Sequence, residues 1–178
     1  MSSSNTSLES VSVSSIMVTN VKTAAENQSV QAVCKILHEN KIGSIVIIKN
    51  SASENKESKV PVGIITERDI VRLVSLPDML SVDQPAYLLM RAPLITIGPN
   101  SSVMDAMETM QQKDIRRLPV VDNKGKLLGI VTDKDIFKVI LKNQTLASSG
   151  ISDQILVDQQ SIHGTFTDYW LRGLPITP

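Results

Sequence analysis

The stretch Gly63-Ile-Ile-Thr-Glu-Arg-Asp69 returns as Gly129-Ile-Val-Thr-Asp-Lys-Asp135. Gly, two aliphatics, Thr, two variable residues and Asp, written twice, ask whether the whole chain is duplicated. Working outward, Met17 lies over Met90, Thr23 over Thr96, Asn27 over Asn100, Ser29 over Ser102 and Val30 over Val103, all at an offset of 73. Val30, Val33, Cys34 and Leu37 recur at i, i+3, i+4, i+7, and Val103, Ala106, Met107 and Met110 repeat that helical face. "IGSIVII" (42–48) then lies over "IRRLPVV" (115–121). Past this point the offset is 66, because the polar insert "NSASENKESK" (50–59) faces the shorter "DNKGK" (122–126). An insertion confined to a polar loop leaves the architecture intact.

Each copy reads as strand, helix, strand, strand, helix. Strands are predicted near 21–24, 44–48, 61–65, 94–97, 117–121 and 127–131, and helices near 29–40, 67–75, 102–113 and 133–142. Ser29 and Ser102 are the expected N-caps of the first helix in each copy. The fold class is α+β: two β-α-β-β-α repeats, with small mixed sheets and helices, packed about a pseudo-twofold axis. One repeat alone is too small to bury a good core. The predicted organisation is a Ser-rich flexible tail (1–13), repeat 1 (14–76), a linker with a helical turn around "PAYLLM" (77–89), repeat 2 (90–142) and a C-terminal extension (143–178).

Composition narrows the function. With 18 basic and 18 acidic residues the formal net charge is zero, which disfavours a globally basic nucleic-acid binder. Aromatics are only 3%, so the core is built from aliphatics and Met. The single cysteine, Cys34, excludes an internal disulfide framework and is expected to pack as core. "MSSSNTSLES" has no basic n-region followed by an apolar stretch, and the concentrated apolar run at 42–48 is too short to span a bilayer, so a soluble cytoplasmic protein is expected. His38 stands at a helix end and His163 alone in the extension, and no metal-ligand spacing is present. No phosphate-loop, zincin or nucleophile-elbow motif is found, so no catalytic residue is assigned.

Thr-x-x-Asp between a strand and an apolar-periodic run reads first as a capping box: Thr66 and Thr132 cap the helix, and Asp69 and Asp135 favour its dipole. The same geometry aims N–H groups and a hydroxyl at one spot, suited to an anion or a hydroxyl-rich ligand. An acidic side chain one turn in is able to accept both hydroxyls of a ribose. Such charge-assisted bonds are worth roughly 1.5–3 kcal/mol each, against about 1 kcal/mol for a cap.

The order "MVTNVKT…IGSIVII…GIITERDIV" and "MRAPLIT…IRRLPVV…GIVTDKDIF" resembles the CBS domain, named after cystathionine β-synthase, and the tandem resembles the CBS-pair regulatory module over residues 14 to 142. The resemblance implies a non-catalytic sensor that takes an adenine nucleotide or adenosyl compound as effector, needs no cofactor, and binds in the cleft between repeats. It implies that Asp69 and Asp135 hold ribose hydroxyls and that Thr66 and Thr132 contact ribose or phosphate. Thr23, Ala24, Thr96 and Ile97, with Ile45 and Leu118, would flank the base. Arg116 and Arg117, standing where repeat 1 has Gly43 and Ser44, would face ligand phosphates; a solvated pair at a loop edge is the alternative. Similar modules dimerise, so a homodimer is expected. The extension 143–178, with three of the five aromatics in "FTDYWLRG" (166–173), either covers core or docks a protein partner. A nucleic-acid adaptor using Arg116, Arg117, Lys124, Lys126, Lys134 and Lys138 is the competing reading.

Overall fold

A computed structural model describes residues 10–49, 59–75 and 81–148, except the side chains of 142–148. Residues 1–137 form one compact unit; a second, 138–178, contains the continuation of the last helix among its described residues. The extension's aromatics, His163 and most of the polar insert lie outside the described residues.

Repeat 1 consists of β1 (Thr23–Ala25), α1 (Val30–Asn40), β2 (Ser44–Ile48), β3 (Pro61–Thr66) and α2 (Glu67–Val74). Its three-stranded sheet has the order β1-β2-β3, with β1 parallel and β3 antiparallel to β2. Repeat 2 consists of α3 (Val103–Gln112), β4 (Arg117–Val121), β5 (Leu127–Thr132) and α4 (Asp133–Ser148). β4 and β5 pair antiparallel, and the register shifts at Val120/Val121 as it does at Ile47/Ile48 in repeat 1. The α+β class and its duplicated order are those expected. Ser29 Oγ accepts from Ala32 N–H at 3.2 Å, and Ser102 forms a capping box with Asp105, so both predicted N-caps are in place.

Three differences have local causes. The strand expected at 94–97 is reduced to one parallel bridge between Ile97 and Val120. In repeat 1 the same pairing is extended by Val46 N–H to Lys22 O and Glu26 N–H to Ile48 O. The residues at the corresponding positions are Pro119 and Pro99, which have no N–H, so the ladder cannot extend either way. Second, α4 runs past 142 to Ser148, since "LKNQTLAS" contains no Pro or Gly to stop it. Third, the chain is already integral before residue 14: Val13 is fully buried and its N–H donates to Ser101 O at 2.8 Å.

That third difference belongs to an exchange between halves. The segment leading into repeat 1 bonds to repeat 2, through Val103 N–H to Val11 O, Ser14 N–H to Pro99 O and a reciprocal pair joining Val18 and Ile130. The segment leading into repeat 2 bonds to repeat 1 in the same pattern, through Val30 N–H to Gln84 O, Tyr87 N–H to Glu26 O and a reciprocal pair joining Arg91 and Ile64. Each segment carries a 3-10 turn, Val13–Ser15 and Ala86–Leu88, the latter being the turn expected around "PAYLLM".

The core is aliphatic, as composition required. Ala24, Val33, Leu37, Ile45, Ile47, Ile65 and Ala86 form one buried cluster. Leu118, Val120 and Val131 are fully buried in repeat 2. Cys34 is half-buried at the margin and not in the core as expected, and burial pushes its thiol pKa up.

Candidate functional site

The two Thr-Asp pairs stand where β3 turns into α2 and β5 into α4. Each strand delivers its last residue, Thr66 or Thr132, as the residue from which the helix starts, which fixes the hydroxyl against the first turn. Thr66 N–H and Oγ1–H donate to Asp69 Oδ2 at 2.9 and 2.6 Å, and Asp69 N–H donates back to Thr66 Oγ1 at 3.3 Å. Thr132 and Asp135 reproduce this at 3.1, 2.6 and 3.4 Å. The capping box read from sequence is therefore present in both.

The carboxylates differ beyond that box. Asp69 is 5% exposed, and its Oδ1 accepts from Arg91 Nε at 2.8 Å. Burial pushes the Asp69 carboxyl up, but hydrogen bonds from Thr66 and Arg91, with the Arg91 charge, outweigh it and hold the pKa below its ordinary value. Asp135 is half-buried. By the offset of 73, the residue corresponding to Arg91 is Val18, which is 47% exposed.

The Arg116–Arg117 pair divides. Arg116 is exposed, whereas Arg117 is half-buried and donates from Nη1 to Gly43 O of repeat 1 at 2.8 Å. Burial pushes its guanidinium pKa down, and the charges of Asp133, Glu67 and Asp69 oppose that. It stays a cation. Glu67 and Asp133 open α2 and α4, and their N–H groups bond Gly43 O and Arg116 O at 3.2 and 3.0 Å. A Cβ on Gly43 would sit 3.1 Å from Glu67 Oε2 and 3.8 Å from Arg117 Nη1. The tight neighbour of that position is thus the Glu67 carboxylate, while Arg117 stands at ordinary contact distance. Arg117 also pairs in register with Thr132 across β4 and β5, placing a guanidinium-bearing residue beside the second Thr-Asp pair.

Of the residues expected around a base, Ala24, Ile45 and Leu118 are buried in the core at 2%, 1% and 0% exposure, Ile97 is buried in its bridge, and Thr23 and Thr96 are more open. The basic set of the nucleic-acid reading loses Arg117 to the Gly43 carbonyl. Among the described residues no cluster of acidic, His and Cys side chains forms a metal site, and no helix is long and apolar enough to cross a membrane. Arg91 was not singled out by sequence reasoning. The available signal was its departure from Val18 directly after the matched Met17 and Met90.

The family model "CBS domain" matches residues 13–76 and 86–142. The Methanopyrus kandleri protein MK0525, itself uncharacterised, is 37% identical over 132 residues, covering 74% of this chain and 64% of that one. The chain thus spans less than two thirds of that relative. The Pyrobaculum aerophilum CBS domain protein PAE2072, solved in complex with AMP, is 26% identical with a TM-score of 0.64 over 76% of this chain and 99% of that one. The CBS domain pair of protein MJ0100, solved with 5'-methylthioadenosine and S-adenosylmethionine, is 26% identical with a TM-score of 0.62 over 74% of this chain and 97% of that one.

Proposed function

The chain belongs to the CBS-domain family, and from that premise we propose that it is a non-catalytic regulatory module binding an adenosine-containing ligand in the cleft between its repeats. The observation that carries the reading is the Thr132–Asp135 pair. A half-buried carboxylate and a hydroxyl stand together at the start of α4, and Thr132 lies in register with Arg117 across β4 and β5. In this reading Asp135 accepts ribose hydroxyls, and Thr132 contacts ribose or phosphate. Arg116, exposed beside it, takes phosphate, while Arg117 holds the two repeats in the relative position the ligand needs. The base lies along the backbone of Thr23, Ala24, Thr96 and Ile97, because the side chains of Ala24, Ile45 and Leu118 are consumed by the core. AMP and the adenosyl compounds carried by the two solved relatives support this ligand class.

Ligand binding would stiffen the two repeats against each other and alter a surface offered to a second copy or to a partner protein. A ligand that binds only the native state stabilises it by mass action. Millimolar AMP or S-adenosylmethionine should therefore raise the melting temperature, and Asp135→Ala should weaken binding by about 10–100-fold through one or two lost charge-assisted bonds. Absence of any shift with either ligand would overturn the reading, as would unchanged calorimetric affinity in Asp135→Ala.

A further inference from the structure

The two Thr-Asp stations share a frame, but the residue after the matched Met differs: Arg91 beside the first, Val18 at the corresponding place of the second. At the first, both Asp69 oxygens are engaged: Oδ2 by the Thr66 amide and hydroxyl, Oδ1 by Arg91 Nε at 2.8 Å. The Asp69 side chain is 6% exposed. A vicinal diol gripped by a carboxylate needs access to that carboxylate's edge, with lone pairs free on the side it approaches. Asp69 offers no such edge while Arg91 is in place.

Arg91 is held over the carboxylate by its backbone. Its N–H donates to Ile64 O at 2.9 Å and its carbonyl accepts from Ile64 N–H at 3.3 Å. Val18 is pinned by the same reciprocal bonds to Ile130, at 2.9 and 3.0 Å. The frame therefore presents a guanidinium to one station and an isopropyl group at the corresponding place of the other. Arg117, also within the electrostatic reach of Asp69, adds a second cation on that side. The Arg91 side chain is 56% exposed, so it is the part that would have to swing away to admit a ligand.

We infer that Arg91 is a specificity-determining residue that closes the Asp69 station to ribose hydroxyls. This rests on the ligand-binding reading above. Its structural ground is the juxtaposition of a buried carboxylate, both of whose oxygens are already engaged, with an arginine carried in by the exchanged segment. Arg91 lies outside the repeated Gly-Ile-x-Thr-x-x-Asp motif.

Replacing Arg91 by the residue its counterpart uses, Arg91→Val, keeps the backbone bridge and removes the cover. Calorimetric titration with AMP of the wild-type protein should show binding insensitive to Asp69→Ala and weakened by about 10–100-fold with Asp135→Ala. In Arg91→Val a second, Asp69-dependent binding event should appear. Arg91→Gln, which keeps a donor near Asp69, is measured in the same way should the Val variant fail to fold, and should show the second event more weakly. The inference is overturned if wild-type binding already depends on Asp69, if Arg91→Val binds as the wild type does, or if Arg91→Val loses binding, which would make Arg91 a ligand contact. No AMP binding in any variant overturns the ligand-binding reading itself, whereas intact Asp135-dependent binding with no new event overturns only the role of Arg91.

Discussion

At the scale of single residues, the repeated Asp has two fates set by one neighbour. Asp69 is ionised in a buried place only because Thr66 and Arg91 supply three hydrogen bonds and a positive charge. Its pKa in the folded chain is lowered. A depressed carboxylate contributes stability that is fully present above its unfolded value of about 4 and is lost as pH falls through the folded value. Asp69→Asn should therefore destabilise the protein by about 1–3 kcal/mol at neutral pH, where charge-assisted bonds are lost and a buried acceptor is replaced. The deficit should shrink as the solution is acidified below pH of about 4, because the wild type then loses the same charge. Denaturant melts of both proteins across that range measure this, and a pH-independent gap would exclude the charged pair as the cause. The Thr-x-x-Asp box was legible in the sequence because capping is local, spanning one helical turn. The Arg91 bond was not, because a partner 22 residues away is fixed by tertiary placement and by nothing in the motif.

At the scale of elements, the helices and most strands were legible wherever one window carried its own period. α1 and α3 show the apolar spacing of a one-sided helix, and both begin at a Ser that caps them. The failed strand near 94–97 shows the limit. Its own residues, "LITI", are good strand formers; what denies it a ladder is the missing N–H of Pro99 on one side and Pro119 on its neighbour. Strand pairing is a property of two segments, so the obstacle is invisible inside either one alone. The helix exits carry a related cost. The chain leaves α1 through Lys41 at φ 52° and α3 through Asp114 at φ 49°, left-handed positions that a side chain disfavours. Lys41→Gly should stabilise the protein by about 0.5–1 kcal/mol, and Asp114→Gly by less, since a short polar side chain tolerates this region better. Chemical denaturation midpoints at constant slope test both. Equal or negative effects would mean that Lys41 contributes contacts outweighing its backbone strain.

At the scale of the whole molecule, the repeat in the sequence is not the unit that folds. Gly63 and Gly129, which open the repeated motif, are where the exchanged segments press closest. A Cβ on Gly63 would lie 2.5 Å from Met90 Sδ, and one on Gly129 would lie 2.7 Å from Met17 Sδ. The sequence shows Met17 matched to Met90 and Gly63 to Gly129, but the repeat pattern gives no sign that each Met serves the other half's Gly. That crossing follows from the bridges joining Val18 to Ile130 and Arg91 to Ile64. It ties the halves in both directions, so neither repeat has a complete sheet edge without the segment that leads into its partner. The consequence is cooperative unfolding with a displaced point of weakness. Met17→Ala, although it lies ahead of repeat 1, should loosen β5 of repeat 2 first, at a cost of about 1–3 kcal/mol for a partly buried side chain. Native-state hydrogen exchange should show the amides of Val18 and Ile130 losing protection before those of β1, while the equilibrium transition stays single. If protection falls in β1 and not in β5, or if two transitions separate, the halves stand independently and the exchange does not couple them.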